Sequence, residues 1–354
     1  MLQRSSIKSS QADLDAYYED LTAIDMAPLW TRPDSALEPS SKLVPYVWRW
    51  QDMRPRAMRA LELVGTKEAE RRVICCVNPG TGRGATNTLV ANVQVVGPGE
   101  IARAHRHTPA ALRFIIESSG GYTVVNGETI PMLPGDLVLT PNWTWHDHAN
   151  DSDSPMIWLD GLDAPLVGLL EAGFREEYPE ETQKTKEDAD LSVLKYGSGA
   201  LRPAWETPQD DNSPLWHYPW TQTKAALDRL SEAESGSPHD GVILQYSNPA
   251  TGGPVMPTIA CYVQVLRPGQ RTLRHRHTNA TVYHVIEGQG ATMVDGKRLD
   301  WDAKDVMTVP GWAWHEHVNE SSTHPAYLFS FTDEPVFRAL SLYREEAASP
   351  PGVP

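Results

Sequence analysis

The strongest constraint on this chain is that one sequence pattern occurs in it twice. The segment HRHTPAALRF begins at His105, and HRHTNATVYH begins at His275, 170 residues later. Three other pairs of segments share this offset to within one residue: NPGTG at Asn78 with NPATG at Asn248, VQVVGPG at Val93 with VQVLRPG at Val263, and PNWTWHDHAN at Pro141 with PGWAWHEHVN at Pro310. A repeat of this length indicates two homologous domains rather than a solenoid. We place them at residues 1–212, with a helical leader and a connector, and at residues 213–354.

Each repeat is predicted to be mainly β-structure. Short runs rich in β-branched and apolar residues, NTLVANVQVV, ALRFIIE, GYTVVNG and DLVLTP, are separated by Gly, Pro and Asn, a pattern typical of a small barrel or jelly roll. Flanking helices are predicted for SQADLDAYYEDLTAI, which Ser10 caps, for TQTKAALDRLSEAE and for PVFRALSLYREE. The charged segment from about Arg175 to Ser213 is interpreted as the connector.

Three histidines in each repeat are expected to converge on one cavity. Residues i and i+2 of a strand point to the same face, so His105 and His107 project together. His146 follows about forty residues later, after a strand and a turn. The second repeat contains the equivalent set His275, His277 and His315. Imidazole suits iron, zinc, copper or nickel, and six histidines at matching positions favour metal binding over a purely structural role.

The bulk composition narrows the partners and the compartment. The formal net charge is −15, which disfavours nucleic acid and anionic membranes as partners and means that an anionic substrate needs locally placed cations. No apolar segment has the length of a membrane span, and the N-terminus has no signal-peptide pattern. Cys75, Cys76 and Cys261 form no CxxC pair and are interpreted as buried thiols of a reducing compartment. A cytoplasmic location is therefore expected.

Comparison of the two repeats indicates which site binds an acidic substrate. Arg113 follows the first histidine pair, where the second repeat has Tyr283. Asp160, in WLDGLD, stands where the second repeat has a serine. The adjacent Arg71 and Arg72 are further candidates, although one of two neighbouring strand residues must face away from the site. Because the planar guanidinium can hold a carboxylate at two points, these residues favour the first repeat as the substrate site.

The histidine pattern resembles the two motifs of the cupin superfamily, a jelly-roll class. The first repeat matches them at Gly99, His105, His107, Gly135, Pro141, His146 and Asn150. The second repeat matches them at Gly269, His275, His277, Pro310, His315 and Asn319. The resemblance implies a bicupin of two jelly-roll barrels with flanking helices.

Two departures from the cupin motifs bear on chemistry. Trp143 and Lys304 occupy positions where the second motif has glycine. The carboxylate ligand of many cupins is absent, since the positions where it would fall are Ala111, Leu112, Thr281 and Val282. Each site is therefore expected to offer three neutral imidazoles, which leaves a divalent ion with its full charge and with open positions for a chelating anionic substrate and O₂.

Longer blocks are similar to the gentisate 1,2-dioxygenase family, whose relatives cleave salicylate, substituted salicylates and 1-hydroxy-2-naphthoate. The blocks are APLW at Ala27, HRHTPAALRFIIE at His105, TPNWTWHDH at Thr140, PMIWLDGLD at Pro155 and GGPVMPTIA at Gly252. The resemblance implies a tetrameric, Fe(II)-dependent bicupin with iron on the first triad. It also implies substrate contacts at Arg71, Arg113, His148 and Asp160.

The predicted reaction is the opening of gentisate by O₂ between the carboxyl-bearing carbon and its hydroxyl-bearing neighbour, which forms maleylpyruvate. Arg113 and one of Arg71 and Arg72 hold the carboxylate, and His148 and Asp160 are the predicted catalytic groups. The same chemistry on salicylate, a 5-substituted salicylate or 1-hydroxy-2-naphthoate stays open, as does a non-catalytic metal- or ligand-binding bicupin. A cupin isomerase or a zinc-dependent role fits the histidines alone but not the arginines.

Overall fold

A computed structural model describes residues 10–31, 39–65, 69, 71–186, 188–199, 201–207 and 211–349. The chain divides into two compact units, Met1–Ser40 and Ser41–Pro354. The first unit contains the predicted helix α1 (Gln11–Ala23) and a short 3-10 helix, Leu29–Thr31. The capping box of α1 is confirmed, since the Ser10 hydroxyl accepts from the Asp13 amide at 3.2 Å and the Asp13 carboxylate accepts from the Ser10 amide at 2.9 Å.

The second unit contains both repeats and is mainly β-sheet. Its helices are α2 (Trp50–Leu63), α3 (Ala164–Leu169), α4 (Leu191–Tyr196), α5 (Trp220–Ala233) and α6 (Glu334–Ala339). The strands of the first repeat are β1 (Tyr46–Trp48), β2 (Arg72–Cys75), β3 (Val90–Val96), β4 (Ile101–His107), β5 (Ala111–Glu117), β6 (Gly121–Val125), β7 (Glu128–Pro131), β8 (Leu137–Thr140), β9 (His146–Asn150), β10 (Met156–Leu162) and β11 (Arg175–Glu177). Those that follow are β12 (His217–Tyr218), β13 (Val242–Tyr246), β14 (Ala260–Leu266), β15 (His275–His277), β16 (Thr281–Glu287), β17 (Gln289–Val294), β18 (Lys297–Asp302), β19 (Val306–Val309), β20 (His315–Asn319), β21 (Ala326–Thr332) and β22 (Glu345–Ala347).

Each repeat builds one six-stranded and one five-stranded antiparallel sheet. The orders are β12-β8-β5-β10-β3-β2 and β11-β4-β9-β6-β7 around the first repeat, and β1-β19-β16-β21-β14-β13 and β18-β17-β20-β15-β22 around the second. The prediction of a β-dominated fold with flanking helices is confirmed. The main apolar core includes residues of both six-stranded sheets, and Phe114 of β5 stacks on Phe329 of β21 with ring centroids 4.4 Å apart. The two barrels are therefore joined by a shared core.

The two repeats also exchange short strands. The leader strand β1 pairs with β19 of the second repeat, and β12 pairs with β8 of the first. Asp305, which precedes β19, accepts hydrogen bonds from the Trp50 amide at 2.7 Å and from the Arg49 guanidinium at 2.9 Å. The domain boundary between residues 212 and 213 stays a prediction, but the sheets do not follow it, because each repeat completes a sheet of the other.

A pair of aspartates, Asp163 and Asp333, links the repeats reciprocally. Asp163 accepts from the Ala110 amide at 2.8 Å and from the Thr258 hydroxyl of the other repeat at 2.6 Å. Its counterpart Asp333 accepts from the Ala280 amide and from the Thr88 hydroxyl of the first repeat. Asp163 and Asp333, at matching positions of the two repeats, thus form equivalent hydrogen bonds between the barrels.

Three sequence predictions require correction. The helix predicted for PVFRALSLYREE ends at Ala339, because Ser341 adopts a left-handed backbone, φ 58°, and the chain then extends into β22 along β15. The segment interpreted as a connector begins as β11, which pairs with β4, and Gln183 donates to the Val124 carbonyl at 2.9 Å, so it packs on the first barrel. Cys75 is exposed rather than buried, since it ends β2 at the edge of its sheet.

Because of His217, in the exchanged strand β12, the protein is expected to become less stable at alkaline pH. Its imidazole lies 3.0 Å from the Asp136 carboxylate and 2.9 Å from that of Asp190. Burial lowers the pKa of His217, but the two carboxylates outweigh this effect and raise the pKa to about 9. The stabilisation is therefore complete below the ordinary histidine pKa and is lost as the pH rises through about 9, with a size of about 3 kcal/mol.

Thermal unfolding between pH 7 and pH 10 measures this effect. The melting temperature of the wild type should fall over this range by more than that of His217→Gln, which cannot carry the charge. Parallel curves for the two proteins would show that His217 is neutral in the folded state.

Candidate metal and substrate site

The three predicted histidines of the first repeat come together in the structure. His105 and His107 project from β4, and His146 projects from the adjacent β9, where it pairs directly with His105. The ring centroids are 5.3 Å apart for His105 and His107, 4.2 Å for His105 and His146, and 4.8 Å for His107 and His146. Their ligand atoms all lie within 4.8 Å of one another, so one ion can reach all three.

The hydrogen bonds of His107 and His146 suit a metal ligand set. Nδ1 of His107 lies 2.8 Å from the Pro109 carbonyl, and Nδ1 of His146 lies 3.0 Å from that of Thr144. Donation to these carbonyls leaves the lone pair on Nε2, the usual arrangement of a metal-binding histidine. Nε2 of His146 is buried and has no hydrogen-bond partner among the described residues. Burial also lowers the pKa of His107 to about 4 and that of His146 well below its ordinary value, which keeps both imidazoles neutral, as ligation requires.

The second repeat contains the same constellation. The ring centroids are 5.6 Å apart for His275 and His277, 4.3 Å for His275 and His315, and 5.0 Å for His277 and His315. Their ligand atoms also lie within 4.8 Å of one another. Nδ1 of His277 lies 2.9 Å from the Asn279 carbonyl, and Nδ1 of His315 lies 3.0 Å from that of Ala313. Both triads could therefore hold a metal ion.

The arginine between the paired histidines points to the opposite face of its strand. The Arg106 guanidinium lies 4.5 Å from the ring centroids of both Trp143 and Trp145. It also donates to Glu176 at 2.8 Å. Cation–π contacts with the two tryptophans and this ion pair stabilise the outer face of β4. The basic residue of the HRH motif is thus a packing residue.

The residues that stand in place of the motif glycines adopt the left-handed backbone conformation that glycine favours. Trp143 has φ 58°, its counterpart Trp312 has φ 64°, and Lys304 has φ 72°. All three lie in the left-handed region, which costs a side chain energy and explains why the motif position is commonly glycine. Lys304 places its ammonium 2.9 Å from the Glu117 carboxylate of the first repeat, so at this position the side chain forms a bond between the repeats.

Arg113 and Asp160 form a buried pair beside the first triad. They occupy directly paired positions of β5 and β10. Nε of Arg113 lies 3.6 Å from Oδ1 of Asp160, and both side chains are less than a tenth exposed. Arg113 also donates to the Thr140 hydroxyl, and Asp160 accepts from the Trp158 indole at 2.8 Å. Burial lowers the pKa of Arg113 and raises that of Asp160, while each charge partly offsets the effect on the other. Thr140 and Trp158 were not singled out from the sequence, because neither has a distinctive motif.

Of the two adjacent arginines, the structure brings Arg71 to the triad. The Arg71 guanidinium lies against the His105 ring and donates to the Arg103 carbonyl at 2.9 Å. Arg72 turns the other way, where it donates to the Glu100 carboxylate at 2.5 and 2.9 Å and to the Val64 carbonyl at 2.6 Å. The prediction that one of the pair faces away holds, and Arg72 is the residue that does.

Methionine variants of the two arginines are expected to separate their roles. Arg71→Met should raise KM for the anionic substrate predicted from the sequence about tenfold, because it removes a cation beside the triad. Arg72→Met should leave KM near the wild-type value but lower the melting temperature, because it leaves Glu100 without its partner. Steady-state kinetics and thermal unfolding of both variants check this. Equal effects on KM would mean that the Arg72 side chain also reaches the substrate.

His148 lies next to His146 on the inward face of β9, as predicted from the i and i+2 spacing. Their ring centroids are 5.9 Å apart, and the His148 ring lies 5.1 Å from that of Trp158. The side chain is buried, and its Nδ1 has no hydrogen-bond partner among the described residues. Burial, followed by the Arg113 charge, lowers the pKa of His148 well below its ordinary value. The ring is therefore a neutral base close to the metal position.

Comparison with known proteins agrees with this geometry. The cupin-domain family model matches residues 92–161 and 262–332. Over 352 residues the chain is 45% identical to 5-aminosalicylate 1,2-dioxygenase of Comamonas sp, which covers 97% of this chain and 93% of that protein. It is 40% identical to gentisate 1,2 dioxygenase 1 of Aquipseudomonas alcaligenes, over 93% of this chain and 95% of that protein. The chain belongs to the gentisate 1,2-dioxygenase family. Its relatives in this family are ring-cleaving oxidoreductases.

Solved structures of the gentisate 1,2-dioxygenase family have the same fold. The crystal structure of salicylate 1,2-dioxygenase from Pseudaminobacter salicylatoxidans superposes with a TM-score of 0.89 at 34% identity and covers 96% of this chain and 99% of that one. A second structure of that enzyme, an adduct with gentisate, has a TM-score of 0.90 at 34% identity, with 98% and 97% covered. The bicupin fold and the family predicted from the sequence are thereby confirmed. Among the described residues, no helix is long and apolar enough to span a membrane.

Proposed function

We propose that this chain is an Fe(II)-dependent dioxygenase that opens gentisate between the carboxyl-bearing carbon and the adjacent hydroxyl-bearing carbon to form maleylpyruvate. The observation that carries the proposal is the buried Arg113 beside a triad of neutral histidines, since this pairing suits a substrate that presents a carboxylate next to a metal. The gentisate dioxygenases among its relatives, and the gentisate adduct of the related salicylate enzyme, support this class of substrate.

His105, His107 and His146 would hold the iron. When bound, Fe(II) supplies coordination positions for the substrate's carboxylate and phenolic oxygens and for O₂, together with the electrons exchanged with O₂. The protein's own task is to orient the aromatic acid. Arg113, whose charge is shielded from water, and Arg71, which lies against His105, would bind the carboxylate.

His148 and Asp160 have distinct proposed roles. His148 is buried next to His146, and its Nδ1 has no hydrogen-bond partner among the described residues, so it would accept the phenolic proton when the substrate binds as a dianion. Asp160 receives the Trp158 indole hydrogen bond and lies 3.6 Å from Arg113, so it orients the guanidinium toward the substrate. Asp160 therefore acts through Arg113 as a positioning residue.

A second candidate substrate is 5-aminosalicylate. The relative from Comamonas named for that activity shares 45% identity with this chain. Gentisate and 5-aminosalicylate carry the same carboxylate and neighbouring hydroxyl group and differ in the donor at ring position 5. The arginines and histidines described above would bind either compound alike.

Oxygen uptake with a panel of four acids tests the proposal. The iron-loaded protein is supplied with gentisate, 5-aminosalicylate, salicylate or 1-hydroxy-2-naphthoate, and kcat/KM is compared. The highest value with gentisate, with one O₂ consumed per maleylpyruvate formed, supports the proposal. The highest value with 5-aminosalicylate selects the second candidate, and no uptake with any acid selects a non-catalytic bicupin.

Iron and the homotetramer follow by resemblance, and the cytoplasmic location follows from the composition. Iron is proposed over other divalent ions because the relatives are dioxygenases, and metal analysis of the active protein tests it. The homotetramer and the cytoplasmic location stay predictions, and light scattering of the purified protein tests the former.

A further inference from the structure

The second barrel contains a cavity whose charge is opposite to that expected of an aromatic-acid site. The cavity has a volume of about 330 Å³ and opens onto His275 and His277. This size falls within the range of small-molecule sites, roughly 300–1,000 Å³, so volume alone does not exclude a ring the size of gentisate. Asp240, Glu334 and Glu345 line it, and no Arg or Lys is present among the described residues of its lining.

The charge reversal occurs at equivalent positions of the repeat. Arg175 pairs with His107 in the first barrel, and Glu345 pairs with His277 in the second. Arg113 is replaced by Tyr283, which is also buried, so the second barrel lacks the carboxylate anchor of the first. An aromatic acid that the first site attracts would therefore be repelled by the second.

The carboxylate of Asp240 lies beside the second triad. Its Oδ1 lies 3.7 Å from Nε2 of His275. Its Oδ2 accepts from the Ser237 hydroxyl at 2.8 Å, within a turn closed by backbone hydrogen bonds between Ser237 and Gly241. The turn thus fixes the side chain and leaves Oδ1 directed at the histidines.

A further observation points to a ligand at this place. Nε2 of His315 is buried and has no hydrogen-bond partner among the described residues, and the His315 side chain is 1% exposed. A buried polar atom without a partner costs free energy unless a ligand satisfies it. Three converging imidazoles form a donor set that suits a divalent ion such as Fe, Zn, Cu or Ni.

We infer that His275, His277 and His315 form a second divalent-metal site, with the Asp240 carboxylate beside His275 but outside the triad, and that the acidic cavity at this site excludes aromatic acids. Asp240 offsets part of the ion's charge, and Glu345, unlike Glu334, which is paired with Arg338, opposes an approaching carboxylate. An ion held here would therefore not turn over an aromatic acid. The metal assignment is independent of the proposed function, whereas the exclusion rests on the proposed aromatic acid substrate.

Metal counting tests the site itself. The full chain is stripped with a chelator, reloaded anaerobically with Fe(II), and analysed for metal per chain. We expect two ions in the wild type, one in His146→Ala, one in His315→Ala and none in the double variant. A wild type that holds one ion, lost in His146→Ala and kept in His315→Ala, would overturn the inference.

Competition with a chelator tests the role of Asp240. Asp240→Asn, a conservative change at a partly exposed position, should weaken the second ion about tenfold or more and leave the first unchanged. Tyr283→Phe is the matched control, because it alters the same cavity without removing a charge, and it should keep both ions. Equal affinity of the second ion in Asp240→Asn and wild type would show that the Asp240 charge does not stabilise that ion.

Titration of the second site alone tests the exclusion. His146→Ala is loaded with Co(II), whose visible absorption reports on its ligands, and gentisate is added. The spectrum should not change at millimolar gentisate. A saturable change would show that the second site binds aromatic acids. Neither the metal counts nor this spectrum requires turnover, so failure of the proposed function leaves both results interpretable.

Discussion

Replacing His146 by alanine is expected to abolish ring cleavage and to remove one metal ion from each chain. The side chain is buried, its Nε2 has no partner among the described residues, and its Nδ1 is fixed by the Thr144 carbonyl. Two histidines would remain, too few to hold the ion in the geometry that a three-histidine site imposes. We expect turnover of gentisate to fall to about one thousandth of wild type or less, measured by oxygen uptake alongside metal analysis.

His324→Ala is the matched control for this variant. His324 is an exposed histidine, so its loss tests the effect of removing an imidazole from the surface of the same fold. It should keep both the activity and the metal content of the wild type. A His146→Ala protein that melts like wild type yet retains full turnover would exclude the first triad as the reaction centre.

The two histidine triads could be predicted because the repeat offset and strand alternation point to the same residues. The offset between repeats identified corresponding residues, and strand alternation places His105 and His107 on one face. His146 could be added because it follows a recognisable turn at the matching position of each repeat. The same comparison identified Arg113 and Asp160, whose direct pairing across β5 and β10 the structure then revealed.

Other features depend on tertiary contacts that local pattern does not encode. The exchanged strands β1 and β12 are three and two residues long, too short to have a periodicity, and their partners lie in the other repeat. The segment at Glu345 continues a helical pattern but finds unpaired hydrogen-bonding groups along β15. The choice between Arg71 and Arg72 required the register of β2, and Asp240 is a single carboxylate in a turn. In each case the conformation is stabilised by contacts with residues distant in the chain.

Arg113→Ala is expected to lower kcat/KM for gentisate by about a hundred- to a thousandfold, mostly through KM. The guanidinium is 3% exposed, so its bond to a carboxylate is shielded from water and is worth about 3–4 kcal/mol. Arg113→Lys should recover part of the loss, because it restores the charge without the planar fork. Steady-state oxygen uptake with the two variants measures both effects.

A structural explanation of the same loss can be separated from the anchoring role. Arg113→Ala leaves Asp160 buried without its cation, which destabilises the fold. The double variant Arg113→Ala, Asp160→Asn removes that charge and should regain thermal stability without regaining kcat/KM. Hydroquinone, which resembles gentisate but lacks the carboxylate, should inhibit wild type and the double variant alike, because Arg113 does not contact it. If kcat/KM returned with stability, the carboxylate of the substrate would be held by a group other than Arg113.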